Sequence, residues 1–539
     1  MRIGYLRWLT ALLLMLVLVF CGIPAGGDED DEDAGDKERD EQKAEADREA
    51  RMAELAGMDP KVIDAAVKKA VAFLKGKQQS DGSWTAGTPT GGQASTMRRE
   101  MGFHEGLSAL CLLALLKAGV DANDECIKKG FNYLHQQWTG RNRKWSDGTG
   151  NYDASVLILA LAARYNPHVQ NKKKKKPDIT KKRGLTEVYE PEEKKQARAF
   201  KKAPPAIKDW MRAAVAFIVS KQTKAGGWAY PASPIGEWTD SSNTQYAMLA
   251  LHAARTVGLS VPKATFVRVA DYFLGLQEKD GPDVKPFIVP AADFPIKQLK
   301  KLEKALLEQE KENTKQQLEK GVKPGKIEKW GTGVIENPYE KFGVEGGHKM
   351  KARGWGYMRG GALPADVPAT SIFYKTIGSM TTSGVAAMVI AKANIENSAW
   401  FKKRKKACNQ SIRDGCAWLA HHFTVTGNAE CSEWHMYYLY GLERAGVLSI
   451  VIKLGEHNWY KEGAEYLLGS QSGDGSWAGE TGEEKRFGNI RSPAANLTST
   501  TTTCFAVLFL KRATAAVVKL PGPIWTGGDY LGGNKKDDK

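Results

Sequence analysis

Short clusters of polar side chains stand directly before six apolar segments of this 539-residue sequence. The clusters are His104 and Glu105; Tyr152 and Asp153; Asp240 to Gln245; Thr381 and Thr382; Glu430 to His435; and Thr500 to Thr503. Helix capping accounts for most of the Ser, Thr and Asn residues, but less well for histidine and glutamate. Because carboxyl and imidazole groups suit general acid–base chemistry, the candidate catalytic residues are Asp240, Glu433 and His435.

A wider set of residues in these clusters is predicted to bind a ligand. The set is His104, Glu105, Tyr152, Asp153, Asp240, Asn243, Gln245, Trp434 and Tyr437. Several aromatic residues near the clusters could stabilise a carbocation, stack on a sugar or simply fill space, and these uses stay open. They are Trp238, Tyr246, Phe373, Tyr374, Trp434, Tyr437, Tyr438 and Tyr440. Cys431, Glu433 and His435 lie within five residues, but successive helical residues point about 100° apart and do not converge on one metal. The sequence therefore predicts neither a metal nor another cofactor.

The apolar segments alternate with amphipathic ones, and both kinds have helical periodicity. The amphipathic helices are predicted at Val62–Lys77, Ile127–Gln136, Met211–Gln222, Phe266–Gln277, Ser411–His422 and Tyr460–Gln471. In the first of them the apolar face is assigned to Val62, Ala66, Ala70, Phe73 and Leu74. Each is followed by a helix that is apolar nearly all round and must be enclosed: Leu107–Ala118, Ala154–Arg164, Thr244–Thr256, Gly384–Ala393, Met436–Ala445 and Thr503–Ala513. The fold class is therefore all-α.

Three amphipathic helices end in nearly the same sequence. Gln78, Gln222 and Gln471 are each followed by Gly-x-Trp or Gly-Trp, ending at Trp84, Trp228 and Trp477. With Phe73-Leu74 and Tyr466-Leu467 before them, these segments resemble the repeat signature of squalene-hopene cyclases, also found more loosely in protein prenyltransferase β subunits. Weaker matches lie at residues 131–136 and at Gln277 with Gly354-Trp355, which a long insertion separates.

This resemblance implies an α/α toroid of about six outer and six inner helices over residues 59–515, with charged insertions at 166–206 and 282–353. In that family the Gln caps neighbouring helices and the Trp stacks against it, so the repeated residues imply stability rather than catalysis. The Asn166–Pro205 insertion, rich in Lys and Pro, is predicted to be an irregular loop. The charged run at 297–320 is predicted to form a solvent-bridging helix, with a protein-binding arm as the alternative.

The resemblance also locates the acid of class II terpene cyclases. Their Asp-x-Asp-Asp-Thr motif corresponds to Asp240-Ser241-Ser242-Asn243-Thr244, so Ser242 stands where the proton donor is expected. Asp240 remains, but the helix N-terminus is expected to hold it ionised and make it a poor acid. Cyclisation is therefore not expected. Prenyl transfer is weakly supported, because the zinc-binding Asp, Cys and His of the related β subunits have no convincing counterpart.

The two ends of the chain differ from the helical body. Arg2 and Arg7 precede an apolar run, Trp8–Phe20, which has the length of a signal-peptide core. Residues 1–25 are therefore predicted to be a signal peptide or an N-terminal membrane anchor. Residues 26–58 are predicted to be an acidic disordered linker, since residues 28–50 carry 13 acidic and 4 basic side chains. Residues 516–539 are predicted to be a flexible tail. The expected location is the periplasm or cell envelope, with the N-terminus as the membrane contact.

Charge and cysteine usage exclude some functions. The net charge of +16 comes largely from lysine-rich runs, among them 172–176 and 402–406, which lack interleaved aromatics or a nucleic-acid-binding motif, so no nucleic-acid partner is predicted. The seven cysteines include no Cys-x-x-Cys pair, so a zinc ribbon or redox pair is not indicated. Cys111 and Cys504 lie in apolar helices and are predicted to be core residues.

Taken together, the sequence predicts an exported toroid without cyclase activity that binds an extended lipid-like or polymeric ligand, or a protein partner, at its central cavity. Two enzymatic alternatives stay open. One is a lyase or hydrolase acting on a polymer through Asp240, Glu433 and His435. The other is an isoprenoid cyclase or prenyltransferase with a displaced acid.

Overall fold

The twelve helices predicted from periodicity are all present in the computed structural model, which describes residues 60–85, 104–145, 149–166, 178–229, 239–323, 348–358, 374–481, 485–487, 490–492 and 496–518. The described helices are α1 (Pro60–Gly76), α2 (His104–Lys117), α3 (Glu125–Gly140), α4 (Gly150–Arg164), α5 (Lys182–Val188), α6 (Glu192–Lys201), α7 (Pro205–Ser220), α8 (Ser241–Thr256), α9 (Lys263–Leu276), α10 (Pro290–Asp293), α11 (Ile296–Glu319), α12 (Gly378–Ile395), α13 (Ala399–His421), α14 (His435–Ser449), α15 (Trp459–Ser470) and α16 (Ser499–Leu510). The predicted segments 1–25 and 26–58, and residues 519–539 of the predicted tail, lie outside the described residues.

Strands are few and short in the described part of the chain. They form three antiparallel pairs: β1 (Asp283–Val284) with β2 (Met350–Lys351), β3 (Glu480–Thr481) with β6 (Asn496–Leu497), and β4 (Lys485–Phe487) with β5 (Ile490–Ser492). In the first pair Asp283 lies opposite Lys351. The prediction of an all-α fold is confirmed at this level. Among the described helices, none has both the length and the apolarity that crossing a bilayer requires.

The two predicted kinds of helix differ in burial as expected. In α8 every residue from Ser241 to Leu251 is buried, whereas α1 buries one stripe only. That stripe is formed by Ile63, Ala66, Val67, Ala70 and Leu74, while Val62 is 51% exposed. The assignment of Val62 to the apolar face was therefore wrong by one residue. Val62 lies four residues before Ala66 and Ile63 four before Val67, so both positions fit helical spacing, and packing buries Ile63.

The repeated Trp residues tie each amphipathic helix to the apolar helix that follows. The Trp84 indole Nε1 donates a hydrogen bond to the Leu74 carbonyl at 2.7 Å, and the Trp84 backbone N–H donates to the Ser108 hydroxyl on α2 at 3.0 Å. The same two bonds recur with Trp228, Trp355 and Trp477, whose indoles donate to Ile218, Phe273 and Leu467 and whose backbone N–H groups donate to Thr244, Thr381 and Thr503. All four Trp side chains are fully buried or nearly so. The repeat is therefore structural, as the resemblance implied.

The repeated Gln residues tie each unit to the next one. The Gln78 side-chain amide donates to the Gly82 carbonyl at 3.0 Å and to the Cys126 carbonyl of α3 at 2.9 Å. Gln222 and Gln277 reach the Thr265 carbonyl of α9 and the Ser411 carbonyl of α13 in the same way. Gln471, in the last unit, donates at 2.9 Å to the Ala66 carbonyl of α1, which is 405 residues away in sequence. The last repeat is thus joined to the first.

Glycine is required within the same turns. Gly82, Gly226 and Gly475 have φ values of 92°, 108° and 88°, a backbone region that favours glycine. A Cβ at each would collide with the backbone of the next amphipathic helix, at Lys129, Arg268 or Lys69. The repeated glycine therefore permits the close approach that the Gln bond needs.

The apolar helices contact one another in a closed sequence. Helix α2 packs on α4, α4 on α8, α8 on α12, α12 on α14, α14 on α16, and α16 packs back on α2. Most amphipathic helices pack on the apolar helix of the preceding unit: α3 on α2, α7 on α4, α13 on α12 and α15 on α14. Within their own units, α9 packs on α12 and α15 on α16, while α1 contacts α16 and α2.

The insertion at 166–206 is not the irregular loop that its composition predicted. It contains α5 and α6. Phe200 of α6 is buried and meets the Tyr165 ring edge-on, with 5.7 Å between ring centroids. Glu192 and Glu193 occupy the first turn of α6, where acidic side chains favour a helix. Tertiary packing at Phe200 therefore outweighs the loop-like composition of the segment.

The second insertion contains the predicted charged helix, but that helix does not bridge through solvent. Leu299, Leu306 and Thr314 of α11 are buried, and the Thr314 hydroxyl lies 2.7 Å from the Tyr189 hydroxyl. The buried Lys392 ammonium holds the start of the insertion by donating to the Ala291, Ala292 and Phe294 carbonyls at 2.7, 3.2 and 3.0 Å. The apolar face of α11 is thus already covered by this chain.

Candidate functional site

The most polar predicted cluster lies at the start of α8. Asp240 is the N-cap of this helix and is 2% exposed. Its carboxylate accepts hydrogen bonds from the Asn243 backbone N–H at 2.7 Å, the Ser242 hydroxyl at 2.7 Å and the Asn243 side-chain amide at 2.6 Å. Three donors therefore occupy this carboxylate, which makes it a capping group in the described structure.

The start of α4 completes the same cluster. The Asn151 amide donates to the Asn243 backbone carbonyl at 3.1 Å and to its side-chain carbonyl at 3.0 Å. The Tyr152 and Ser242 hydroxyl oxygens lie 2.7 Å apart. Because Ser242 gives its only proton to Asp240, Tyr152 is the donor in that pair. The predicted ligand-binding residues Tyr152, Asp240 and Asn243 thus belong to one hydrogen-bonded network, which Tyr152 joins through Ser242.

The pKa of Asp240 differs from the expectation. Burial raises it above its ordinary value, although the hydrogen bonds from Asn243 and Ser242 act in the opposite direction. The helix N-terminus was expected to hold this carboxyl ionised. Desolvation at a fully enclosed position outweighs that effect, because removing water disfavours the charged form.

A second buried carboxyl lies nearby on α4. Burial raises the pKa of Asp153 to about 7, while the Thr149 hydroxyl, which donates to its Oδ2 at 2.6 Å, lowers it. Glu105 on α2 forms an ion pair with Arg141, and its negative charge also raises the Asp153 pKa. His104 is the first residue of α2, and its side chain lies outside the described residues, as do Trp238 and Phe373.

The remaining catalytic candidates lie at the start of α14. Trp434 precedes this helix with φ 65° and ψ 36°. The Glu480 carboxylate caps the helix by accepting from the His435 and Met436 backbone N–H groups at 2.9 and 2.7 Å. The His435 Nε2 lies 2.9 Å from the Val425 carbonyl, and burial lowers the His435 pKa. No hydrogen bond within the described residues joins Glu433 or His435 to Asp240.

Gln245 and Tyr437 meet at a residue that the sequence reasoning missed. Arg444 of α14 is fully buried. Its guanidinium donates to the Gln245 side-chain carbonyl at 2.6 Å and to the Tyr246 hydroxyl at 3.3 Å, and Tyr437 donates to the same Gln245 oxygen at 2.8 Å. Two adjacent charged residues, Glu443 and Arg444, inside a helix otherwise apolar all round were the signal available in the sequence.

Three tyrosine rings surround the Arg444 guanidinium. The guanidinium carbon lies 3.6 Å from the ring centroid of Tyr440, 4.8 Å from that of Tyr246 and 5.9 Å from that of Tyr437. Burial lowers the Arg444 pKa, but the three tyrosines raise it, and the net effect is a rise. A permanent cation therefore lies among the aromatic residues, and the tyrosines fill the space between α8 and α14.

A cavity of about 550 Å³ lies where the apolar helices end rather than where they begin. Its apolar wall includes Leu113 of α2, Leu159 of α4, Leu249 of α8 and Val447 of α14. None of the nine predicted ligand-binding residues lines it. Of the aromatic residues singled out in the sequence, Tyr440 lines the cavity. Most of the wall comes from residues that sequence reasoning missed, because it is assembled from seven helices distant in sequence.

The C-terminal segment closes one side of this cavity. The Glu443 carboxylate accepts from the Thr514 backbone N–H at 3.0 Å and from its hydroxyl at 2.6 Å, and the His252 Nε2 lies 3.2 Å from the Ala515 carbonyl. Val517 and Val518 are buried, so packing continues past residue 515 into the predicted tail. Burial lowers the His252 pKa to about 4, so the imidazole facing the cavity is neutral at pH 7.

Comparison with known proteins gives no family. No family model matches the chain, and no curated protein is significantly similar to it. Within the described residues, no group of three His, Cys, Asp or Glu side chains is placed to hold a metal ion.

Proposed function

We propose that this protein binds an extended lipid-like ligand in the cavity at the C-terminal ends of its apolar helices, and that it does not cyclise that ligand. The observation that carries the proposal is the cavity of about 550 Å³, whose apolar wall is formed by residues such as Leu113, Leu249 and Val447. Pockets of this size with apolar walls and a few polar groups commonly enclose small organic ligands. His252 and Thr256 supply uncharged polar groups, and charged side chains also line the cavity, among them Lys117, Glu193 and Arg512.

The architecture that we propose is an α/α toroid of the squalene-cyclase and prenyltransferase-repeat type. Two observations support it. The six apolar helices contact one another in a cycle that returns from α16 to α2. Gln471 bonds to Ala66 as the earlier repeat glutamines bond to their next unit. An open array of repeats would leave the last glutamine without a following helix.

Two features argue against cyclisation. Ser242 occupies the expected position of the proton donor, and Asp240 is engaged by three hydrogen bonds. The tyrosine faces that would stabilise a carbocation already surround the Arg444 cation. At a separation of about 6 Å and an effective dielectric constant of about 20, a second unit positive charge would be repelled by about 3 kcal/mol.

The alternatives receive less support from the geometry. A polymer-acting lyase or hydrolase needs an acid and a base near one bond. Asp240 instead accepts hydrogen bonds from Ser242 and Asn243, and the His435 imidazole lies against the Val425 carbonyl. A protein partner at 297–320 would meet the charged face of α11, because residues such as Leu299 and Leu306 are buried against this chain.

We further propose that the protein is exported and stays near the cell envelope. The support is the basic and apolar start of the sequence, Arg2 and Arg7 with the run at Trp8–Phe20, followed by the acidic stretch at 28–50. Fractionation of cells expressing the full chain tests this. Recovery in the cytosol would contradict it.

Ligand binding is tested by filling the cavity. The full-length protein and the variants Leu249→Trp and Val447→Trp are titrated with a fluorescent long-chain fatty acid. Both variants are expected to weaken binding at least tenfold, because an indole in the wall occupies part of the cavity. Gln79→Trp is the matched control, since Gln79 is exposed, lies in the turn that contacts the start of α2 and does not line the cavity. Thermal melts confirm folding, and unchanged affinity in both filled variants would refute the proposal.

A further inference from the structure

Two buried thiols meet where the cycle of apolar helices closes. The Cys111 sulfur on α2 and the Cys504 sulfur on α16 lie 3.6 Å apart, and both residues are 0% exposed. These residues are 393 positions apart in sequence. Cys416 is equally buried, but its described neighbour at 3.6 Å is the Ser449 hydroxyl rather than another thiol.

We propose that Cys111 and Cys504 are a site of disulfide formation when the chain folds in an oxidising environment, so that a covalent bond joins the first apolar helix to the last. A disulfide sulfur pair lies about 2.05 Å apart. The two sulfurs therefore need to approach by about 1.5 Å, through side-chain rotation and a small movement of α16 against α2.

The chemistry is thiol–disulfide exchange with an external disulfide, either glutathione disulfide or the active-site disulfide of an oxidoreductase. One thiolate attacks the external disulfide and releases one thiol, and the second thiolate then displaces the other. The two protein thiols lose two electrons and two protons, and the external disulfide gains them as two thiols. Oxidising compartments supply such partners.

Burial determines when the exchange takes place. In the folded chain, desolvation raises the pKa of the Cys111 thiol well above its ordinary value, and the neighbouring Cys504 adds to that effect. The thiolate is the reactive form, and an external reagent has no access to either sulfur. The bond therefore forms while α2 and α16 are still open to solvent, and once formed it resists reduction until the protein unfolds.

The proposed bond would reinforce a junction that polar contacts hold elsewhere. Gln471 bonds to Ala66 there, and the Lys511 ammonium lies 3.2 Å from an Asp64 carboxylate oxygen. Leu113 of α2 and Lys511 after α16 also line the cavity. A covalent link between these helices would fix one wall of the cavity, independently of the ligand that it takes.

Peptide mapping tests the proposal on the full-length protein. The protein is folded with glutathione disulfide, denatured in acid and alkylated, and parallel samples are folded in reductant. The expected result is a crosslinked Cys111–Cys504 peptide in the oxidised sample, a loss of 2 Da, and survival of the bond when the native protein meets dithiothreitol. Alkylation of both Cys111 and Cys504 after oxidative folding would overturn the proposal.

Matched variants assign the bond. Cys111→Ser and Cys504→Ala are each expected to abolish the crosslink, whereas Cys416→Ser, at an equally buried position without a thiol neighbour, is expected to keep it. If a cysteine variant fails to fold, the wild-type map still decides the question. A crosslink between any other pair in place of Cys111–Cys504 also contradicts the proposal.

Discussion

Replacing Gln471 by alanine removes the side-chain bonds that join the last repeat to the first. The Gln471 amide donates to the Ala66 carbonyl at 2.9 Å and to the Gly475 carbonyl at 3.0 Å. A hydrogen bond of this kind contributes about 0.5–1.5 kcal/mol net. Gln471→Ala is therefore expected to lower the free energy of unfolding by about 1–3 kcal/mol. Amide exchange in α1 should also become faster, because α1 loses a contact with the end of α15.

The matched control is Gln78→Ala. Gln78 makes the equivalent two bonds, at 3.0 and 2.9 Å, between units that are adjacent in sequence. In a closed ring the two substitutions cost similar amounts, which chemical denaturation and hydrogen exchange measure on the same samples. In an open array, Gln471 has no following unit to hold. A cost for Gln78→Ala together with no cost for Gln471→Ala, and unchanged exchange in α1, would refute ring closure.

Three further predictions concern buried charged groups. Burial raises the Glu443 pKa to about 7. The contribution of this carboxyl to stability is therefore fully present below its unfolded pKa and is lost as the pH rises through 7. Glu443→Gln should reduce the change in the free energy of unfolding between pH 5 and 8 by about 3 kcal/mol. Lys392→Met removes the three bonds to the α10 segment, and limited proteolysis should cut residues 282–323 faster than in wild type. Asp240→Ala removes the N-cap of α8 and should cost about 1–2 kcal/mol in thermal or urea unfolding, with unchanged fatty-acid affinity.

Each of these predictions has an outcome that contradicts it. An unchanged pH profile in Glu443→Gln would show that this carboxyl does not titrate near neutrality. Proteolysis of Lys392→Met at wild-type rates would show that the ammonium does not hold the insertion. A loss of fatty-acid affinity in a folded Asp240→Ala protein would place the ligand at the start of α8 rather than in the cavity.

Local periodicity was sufficient to predict the helices, because burial in a repeat follows the helical stripe. The difference in burial between α1 and α8 could be predicted from their composition alone, and the Gln and Trp residues marked the helix ends. The error at Val62 was local, since two overlapping stripes are possible there and only packing selects Ile63. The helices at 182–201 were missed because a contact with Tyr165, outside the insertion, stabilises them.

The candidate site was less accessible to sequence reasoning. The hydrogen bonds of Tyr152 with Ser242 and of Tyr437 with Gln245 join residues that the sequence singled out near helix starts. Their engagement with one another could not be predicted, because each pair spans about a hundred residues or more. The cavity depends on the far ends of α2, α4, α8 and α14, where apolar residues such as Leu249 look like ordinary core positions.

We propose that the cavity at the C-terminal ends of the apolar helices holds an extended lipid-like ligand. Photocrosslinking of the full-length protein with a diazirine-bearing fatty acid, followed by peptide mapping, tests it most directly. Labels are expected on the cavity wall, within residues 249–256 of α8 and residues 446–451 at and just beyond the end of α14, together with competition by unlabelled fatty acid. Labels confined to the helix starts, around Tyr152 and Trp434, or no competable label at all, would contradict it.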